Sequence, residues 1–348
     1  MAQTTLFPEL VPRDISENIP RREKINLMIE RLRNCSIPKN APLVFSFGCG
    51  VNSIALLCWA VAHKIKIDAI FFADTGNEKP LTYHWLDKIN QWIADNNQDL
   101  TATIPLIETV RYQLKPITKR RRKGVLAKCN PKYWKKWDFF VLELLLVIFQ
   151  DARQFIRYTT LGENCLITET MPSKAYGKGS CSHKWKITPI HKAIARRFPN
   201  APDIRQWIGI HAGEPQRLLM ANGTPKPLIE DLNKNQRLFV EYPLVINNLN
   251  QQACQRLCLS VFGEIPPKSS CWFCPSQRIA EVRELKETYP DLFKAGCFLE
   301  INAMANLKEG GTKGLGRNFA WNDIDALTPL ELAAIEAEKS NRSCNCLE

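Results

Sequence analysis

The chain has 348 residues, of which 45% are hydrophobic and 24% are charged, and these are ordinary values for a globular protein. The segment from Met1 to Pro20 is polar and proline-rich, unlike a secretory signal peptide. The longest apolar stretch, Phe139 to Phe149, is interrupted by Glu143 and is shorter than the ~20 residues that a membrane span needs. These features predict a soluble, cytoplasmic protein with no membrane partner.

The number of cysteines and the net charge indicate which kinds of cofactor and ligand the protein can bind. Thirteen cysteines without an export signal argue against a disulfide framework and favour metal, cluster or thiol chemistry for some of them. The formal net charge of +12 suits an anionic ligand, and a nucleic acid is one candidate. A positive excess that only keeps the protein soluble is the alternative.

Residues 1–40 are predicted to form an arm with a helix from Arg21 to Asn34. The apolar positions Ile25, Met28, Ile29 and Leu32 fall on one helical face, and Pro38 follows the helix. We expect this face to pack against the main domain.

A strand–turn–helix pattern follows the arm. Leu43 to Phe45 is typical of a buried strand, and the apolar positions from Asn52 to about Ala62 have helical spacing. Gly48 and Gly50 lie in the turn between them and have no Cβ, so a phosphate can approach the backbone at the positive end of the helix. Hydroxyl donors are predicted from Ser46 and Ser53. An ordinary glycine-containing turn is the alternative, and the Gly-Lys-Ser/Thr ending of the common phosphate loop is absent.

A second strand, Lys66 to Ala73, ends in Asp74-Thr75-Gly76. With a following helix and a third strand at Thr101 to Leu106, the pattern is β-α-β-α-β, which predicts a parallel sheet with right-handed crossovers. The ends of the first two strands then meet at one edge, where open α/β sheets bind nucleotides.

The two turns together resemble the PP-loop family of adenine-nucleotide α-hydrolase-like enzymes, and within it the phosphoadenylyl-sulfate (PAPS) reductases. The first fits a Ser-x-Gly-x-x-x-x-Ser loop and the second fits Asp-Thr-Gly-x-x-x-Pro-x-Thr, although Asn52 stands where the family commonly has Asp. The resemblance implies a doubly wound, mostly parallel, Rossmann-like α/β fold that binds ATP or PAPS, with Mg²⁺ left open. The implied nucleotide-binding residues are Ser46, Phe47, Gly48, Gly50, Val51, Asn52, Ser53, Asp74, Thr75 and Gly76.

Regularity stops near Glu108, and residues 107–170 are predicted to be a basic, helical insertion. Lys119 to Lys123 is a run of positive charge, and Lys132 to Trp137 alternates basic with aromatic residues, as in surfaces that bind nucleic acid. A solvated loop is the alternative. An apolar helix is expected at Trp137 to Tyr158 and is predicted to pack either on the sheet or on a second subunit. In the second case the protein would be a homodimer.

Two later stretches are candidates for binding a second anion. Met171 to Pro189 is rich in lysine and glycine, and its end resembles the reductase pattern Cys-Cys-x-x-x-Lys-x-x-Pro, with Ser182 in place of the second cysteine. A fourth strand, Ile204 to Ile210, leads into Gly213 to Arg217, and an arginine there can make bidentate contacts with phosphate or sulfate. The predicted anion ligands are Lys184, Lys186 and Arg217. A salt bridge from Arg217 to Glu214 is the alternative.

The Cys-x-x-Cys turn at Cys271 and Cys274 lies between prolines and is the usual half-site for zinc or an iron–sulfur cluster. A redox dithiol is the rival interpretation. The predicted ligands are Cys181, Cys254, Cys271 and Cys274, with Cys258 and Cys297 as alternates for the fourth position.

Three functions follow from the resemblance. The first is an enzyme that acts at the α-phosphate of ATP or a related adenylate for sulfur transfer or nucleic-acid modification, as the sulfurtransferase of DNA phosphorothioation does. The second is PAPS or adenylyl-sulfate reduction by Cys346, although the tail lacks the glycine and histidine of the reductases. The third is a non-catalytic nucleotide- or nucleic-acid-binding component. The predicted domains are residues 1–40, 41–265 and 266–348.

Overall fold

The computed structural model of the protein describes residues 20–97, 104–113, 160–177, 180–220, 223–304, 307 and 311–340. The basic stretches at 119–123 and 132–137, the helix expected at 137–158 and Cys346 lie outside the described residues. Six strands form one sheet within the described part: β1 (Leu43–Phe47), β2 (Ala69–Asp74), β3 (Ile107–Arg111), β4 (Asp203–Ile208), β5 (Ile229–Asn233) and β6 (Gln236–Glu241).

Helices connect the strands and extend beyond them. In chain order the α-helices are α1 (Arg21–Asn34), α2 (Val51–Ala62), α3 (Pro80–Asn96), α4 (Leu161–Thr168), α5 (Ser180–Ser182), α6 (Thr188–Arg197), α7 (Pro243–Ile246), α8 (Gln251–Phe262), α9 (Ile279–Thr288), α10 (Pro290–Met304) and α11 (Pro329–Ser340). A π-helical turn, His183–Ile187, joins α5 to α6, and short 3-10 turns lie at Ser173–Tyr176 and Pro215–Leu218. None of the described helices is both long enough and apolar enough to cross a bilayer.

The strand order is β3-β2-β1-β4-β6-β5, and every neighbouring pair is parallel except β5–β6. Strand β1 lies between β2, which pairs with one of its edges, and β4, which pairs with the opposite edge. The order therefore reverses between β1 and β4, and a crevice at the carboxyl ends of these strands is where open α/β sheets bind ligands.

Both faces of the sheet are covered, and the alternation of side chains along β1 shows how. Leu43, Phe45 and Phe47 join the apolar cluster that includes α2, α3 and α8, whereas Val44 joins Ile190 and Ile194 of α6 on the opposite face. Successive residues of a strand point to opposite faces, so a strand that is buried throughout must be covered twice. The prediction of a mostly parallel α/β sheet is confirmed.

The sheet differs from the predicted one at β3 and contains a hairpin that was not predicted. The third strand was expected at Thr101 to Leu106, but β3 begins at Ile107. Pro105 has no N–H to donate to a ladder, and the strand forms after it. The hairpin β5–β6 was not predicted, because the alternation in β5 is short and polar. The helix Arg21–Asn34 is confirmed, and its Met28 and Leu32 pack on Ile208 and Tyr242 as expected.

Another apolar cluster joins the C-terminal helices to residues near α4. It includes Leu161 and Trp185 as well as Phe273 and Phe298, so the predicted division at residue 265/266 separates residues that pack together. Glu300 lies at its edge with its side chain fully buried. Its carboxylate accepts bonds from the backbone N–H groups of Leu315 (2.6 Å), Trp321 (2.9 Å) and Asn322 (3.1 Å), and it thereby fastens the segment after α10.

Replacing Glu300 with glutamine is expected to lower the free energy of unfolding by about 2–3 kcal/mol, because an amide N–H₂ then faces buried donors that lose their acceptor. Denaturant titration of the Glu300→Gln variant measures this loss. The matched control is Glu287→Gln on the exposed face of α9, which we expect to leave the unfolding midpoint unchanged. Equal midpoints for the two variants would show that the buried carboxylate does not hold this segment.

Candidate functional site

The candidate site lies where the loops after β1, β2 and β4 meet, next to the reversal in strand order. Gly209 follows β4 directly and lies against the start of α2. A Cβ at this position would be 3.1 Å from both the Cα and the N of Ser53. The close approach of the two loops requires a residue without a side chain there. The carboxyl ends of β1 and β4 therefore form one continuous edge.

The β1–α2 turn has the geometry that the sequence predicts for an anion site. Helix α2 begins at Val51, immediately after Gly50, so its first-turn amides have no acceptor within the helix and point toward the crevice end. Cys49 has a φ of 57°, in the left-handed region that non-glycine residues rarely occupy. Backbone strain of this kind is concentrated at binding sites, where the fold must hold it in place.

The two serine hydroxyls predicted as phosphate donors have partners inside the protein. Ser46 lies within β1, and its Oγ accepts a bond of 2.6 Å from Nε2 of Gln206 on β4. The Oγ of Ser53 accepts from the Gly50 N–H (3.1 Å) and donates to the Gly50 carbonyl (3.0 Å). The Ser53 hydroxyl closes the turn, and the Ser46 hydroxyl ties β1 to β4.

Both carboxylate oxygens of Asp74, at the end of β2, accept hydrogen bonds from inside the protein. Its Oδ2 receives two bonds from Arg111 on β3, at 2.8 and 2.6 Å, and its Oδ1 accepts from the Gly76 N–H (2.7 Å) and the Tyr83 hydroxyl (2.8 Å). Burial, and then the charge of Asp74, raise the pKa of Tyr83, so this phenol stays protonated and donates. The carboxylate thus shapes the β2–α3 loop.

Helix α4 docks onto the same loop. The Leu161 N–H donates to the Thr75 carbonyl (3.0 Å), and the Gly162 N–H donates to Oδ1 of Asn77 (2.7 Å). Gly76 has a φ of 75°, and a Cβ there would lie 2.4 Å from Cγ2 of Thr160. Gly76 is therefore required both for the turn and for the contact with the start of α4.

The Cys-x-x-Cys segment is fastened to both loops. The Lys79 N–H donates to the Ser270 carbonyl, and the Trp272 N–H donates to the Asn77 carbonyl, each at 3.0 Å. On the other side, a Cβ on Gly50 would lie 3.0 Å from Oγ of Ser269. The segment therefore lies between the β1–α2 turn and the β2–α3 loop.

A pocket opens beside these loops, and its walls carry thiols and positive charges. The cysteines are Cys181, Cys271 and Cys274, which are three of the four predicted metal ligands, and the lysines are Lys174, Lys186 and Lys268. Thr75 and Ser182 also line it. We refer to this cavity as the thiol pocket. Its lining combines soft sulfur ligands with groups that neutralise anions.

A buried ion pair borders the thiol pocket. Nζ of Lys186 lies 3.1 Å from Oε1 of Glu78, whose side chain is fully buried. The same oxygen accepts a bond of 3.0 Å from the Thr75 hydroxyl, and the Cys271 thiol lies 3.7 Å away. Burial first, and then the charge of Glu78, raise the pKa of Cys271, so this thiol is protonated in the form described.

The other predicted anion ligands lie outside the thiol pocket. Nζ of Lys184 lies 5.0 Å from the centroid of the Tyr112 ring and donates to Oδ1 of Asn164. Arg217 is buried, and its Nη1 is 3.0 Å from Oε2 of Glu214, which is the salt bridge given above as the alternative.

Burial, and then the charge of Arg217, lower the pKa of Lys226 to about 8.

The structure places Cys254, the predicted fourth metal ligand, away from the thiol pocket. Cys254 lies on α8 in the apolar cluster beneath α2, together with Cys58 and the alternate ligand Cys258. This cluster is distinct from the one around Cys271. Burial raises the pKa of Cys254 to about 11, as expected of a thiol that serves as a small apolar side chain. Cys254 and Cys258 are four residues apart and lie on the same buried face of α8, as their spacing predicts. That face packs under α2 and not at the thiol pocket.

Cysteine thiolates are the usual ligands of iron–sulfur clusters, and three of the four predicted ligands line the thiol pocket. Within the described residues, no group of three or more His, Cys, Asp or Glu side chains is close enough to hold a single metal ion. The cysteines instead line the walls of one pocket. The alternate ligand Cys297 packs on the same apolar cluster from α10, but it is not among the lining residues.

Sequence reasoning missed Glu78 and Ser269. Glu78 comes four residues after Asp74, at the strand end where ligand groups are expected, and this position was the available signal. Ser269 carries no such signal, because only packing brings it to the site.

Comparison with known proteins assigns no family: the sequence matches no family model and no curated protein.

Proposed function

We propose that the protein is a PP-loop-type enzyme that binds ATP or a related adenylate and acts at the α-phosphate. The observation that carries this proposal is the β1–α2 turn, which ends a central strand at the reversal in strand order and leads directly into a helix N-terminus. Gly48 and Gly50 leave the backbone open to a phosphate, and the strained Cys49 between them turns the chain toward the helix.

The chemistry needs groups that stabilise a leaving pyrophosphate. An acceptor attacks the α-phosphorus, the bond from this phosphorus to the oxygen that bridges the β-phosphate breaks, and pyrophosphate leaves. The first-turn amides of α2 would hold the charge that develops on pyrophosphate, because they are fixed before the reaction begins. Asn52 has a side-chain amide at the position where the PP-loop family commonly has a carboxylate. Mg²⁺ would therefore be bound mainly by the phosphates of the nucleotide.

The thiol pocket supports a role in sulfur chemistry or nucleic-acid modification. It adjoins the phosphate-binding turn through the contact between Gly50 and Ser269, so an acceptor held there would be next to the nucleotide. Lys186 and Lys268 would neutralise an anionic acceptor. A bound iron–sulfur cluster would supply iron sites for binding or activating sulfur, and its protein ligands would be the pocket cysteines.

PAPS or adenylyl-sulfate reduction is the second candidate. It is favoured by the presence of cysteine and lysine side chains in one pocket, as a sulfate-bearing substrate would require. It also needs a nucleophilic thiol, for which Cys346 is the candidate. A non-catalytic nucleotide-binding component is the third candidate, and it would need neither the thiols nor an acceptor site.

Replacing Cys346 with serine separates the first two candidates. We expect the Cys346→Ser variant to release pyrophosphate from ATP and Mg²⁺ at the wild-type rate, because the proposed reaction at the α-phosphate uses no tail thiol. An enzyme-coupled pyrophosphate assay with the anaerobically purified protein measures this rate. Sulfite release from PAPS that requires both thioredoxin and Cys346 would instead establish the reductase. If neither product forms while ATP still binds, the protein is a nucleotide-binding component.

A further inference from the structure

Ser269 is a buried serine that lies against the β1–α2 turn and also lines the thiol pocket. It is 9% exposed, and a Cβ on Gly50 would lie 3.0 Å from its Oγ. It is also one of the residues that form the wall of the pocket. The Ser269 hydroxyl is therefore placed where the β1–α2 turn meets the pocket.

The position of Ser269 is set by a short antiparallel pairing between its segment and the loop after β2. Glu78 and Cys271 form the bridge, and the Lys79 N–H donates to the Ser270 carbonyl at 3.0 Å. These contacts hold the hydroxyl beside the turn before any ligand binds. A donor that is already in position costs less to order when a ligand arrives.

Three other hydroxyls near this junction are used by the protein itself. The side chains of Ser46, Ser53 and Thr75 each form a hydrogen bond to another protein group. Ser269 differs, because its hydroxyl forms no hydrogen bond with any other residue that the structure describes. Buried polar groups nearly always have a partner, so we expect this hydroxyl to bond to a ligand or to water.

The surroundings of Ser269 favour an anion as that ligand. The first turn of α2 contributes its unpaired backbone amides and the positive end of the helix dipole. Lys186 and Lys268 line the same pocket. A hydroxyl in such a place can donate to a negatively charged oxygen, and this kind of hydrogen bond is stronger than one between neutral groups.

We propose that the Ser269 hydroxyl donates a hydrogen bond to the α-phosphate of the nucleotide at the β1–α2 turn. The α-phosphate is the one that an acceptor in the thiol pocket has to reach, and Ser269 lies at the boundary between the turn and the pocket. This inference rests on the nucleotide site of the proposed function. It adds a ligand-binding residue from the segment before the Cys-x-x-Cys turn.

Calorimetric titrations of the full chain with adenosine, AMP and ATP test this contact. We expect Ser269→Ala to bind AMP and ATP about 10- to 100-fold more weakly than wild type, because a hydrogen bond to a charged group is lost. Adenosine has no phosphate, so its affinity should not change. Ser260→Ala is the matched control, because it removes the same atom from an exposed position on α8, and we expect wild-type affinities.

Unfolding midpoints in denaturant separate a ligand contact from a structural one. Without nucleotide, Ser269→Ala should not lower the midpoint, because its hydroxyl has no partner within the described part of the chain. Ser46→Ala should lower it, because the Ser46 hydroxyl bonds to Gln206 in the core of the sheet.

The possible results distinguish this contact from the function on which it rests. If wild type binds ATP and Ser269→Ala binds it equally well, the contact is overturned and the nucleotide site stands. A lowered midpoint for Ser269→Ala would also overturn the contact, since the hydroxyl would then have a structural role. Weaker binding of ATP without weaker binding of AMP would overturn the assignment to the α-phosphate. A wild type that binds no adenine nucleotide would overturn the proposed function itself.

Discussion

Replacing Gly50 with valine is expected to abolish the binding of ATP and PAPS. The backbone at Gly50 is extended, so a side chain is compatible with its conformation, and the effect should come from occupied space. A Cβ there would lie 3.0 Å from Oγ of Ser269, and the branched methyl groups of valine would extend into the space that a phosphate needs at the start of α2. Calorimetric titration with each nucleotide measures the loss.

The matched control is Ala62→Val at the opposite end of the same helix, on an exposed position. It adds the same methyl groups to α2 without approaching the turn, and we expect wild-type affinity. If Gly50→Val and Ala62→Val bind nucleotide equally well, the phosphates do not lie at the β1–α2 turn.

Replacing Lys186 with methionine is expected to destabilise the protein by about 3–5 kcal/mol, because it leaves the carboxylate of Glu78 buried without its positive partner. The Lys186 side chain is 16% exposed and that of Glu78 is fully buried, so solvent cannot take over the role of the lysine. Denaturant unfolding measures the change. Lys286→Met removes an exposed ion pair with Asp325 and should cost less than about 1 kcal/mol.

A double-mutant cycle distinguishes the loss of the pair from a general loss of packing. Adding Glu78→Gln to Lys186→Met removes the buried charge, and we expect the double variant to be more stable than Lys186→Met alone. Additive losses in the two single variants would contradict a coupling between these side chains. The Lys186→Met variant should also bind anionic substrates more weakly, since Lys186 lines the thiol pocket.

The part of the fold that the sequence could predict is the part with strong local signals. Leu43 to Phe45 is continuously apolar and is followed by glycines, so the strand, the turn and α2 were placed within two residues of their bounds. The third strand is hard to place from the sequence, because β3 has a mixed pattern of buried and exposed residues and begins after Pro105, which has no N–H to donate. β5 and β6 lie near the edge of the sheet, where few positions need to be apolar.

The candidate site was predictable where its residues adjoin strand ends, and less so where packing assembles it. Lys186, Cys181 and the Cys-x-x-Cys turn were identified from their residue types, and the structure brings them into one pocket. The approach of α4 to this edge could not be predicted by spacing, because it depends on the docking of Leu161 and Gly162 on Thr75 and Asn77. In the same way, the hydroxyls of Ser46 and Ser53 have internal partners that no motif reveals.

We propose above that an adenine nucleotide binds with its phosphates at the turn from Ser46 to Ser53. A crystal structure of the protein with a non-hydrolysable ATP analogue and Mg²⁺ tests it most directly. We predict density for the phosphates against the first-turn amides of α2, beside Gly48 and Gly50 and within reach of the thiol pocket. A nucleotide bound elsewhere on the protein, with the β1–α2 turn unchanged, would contradict the account.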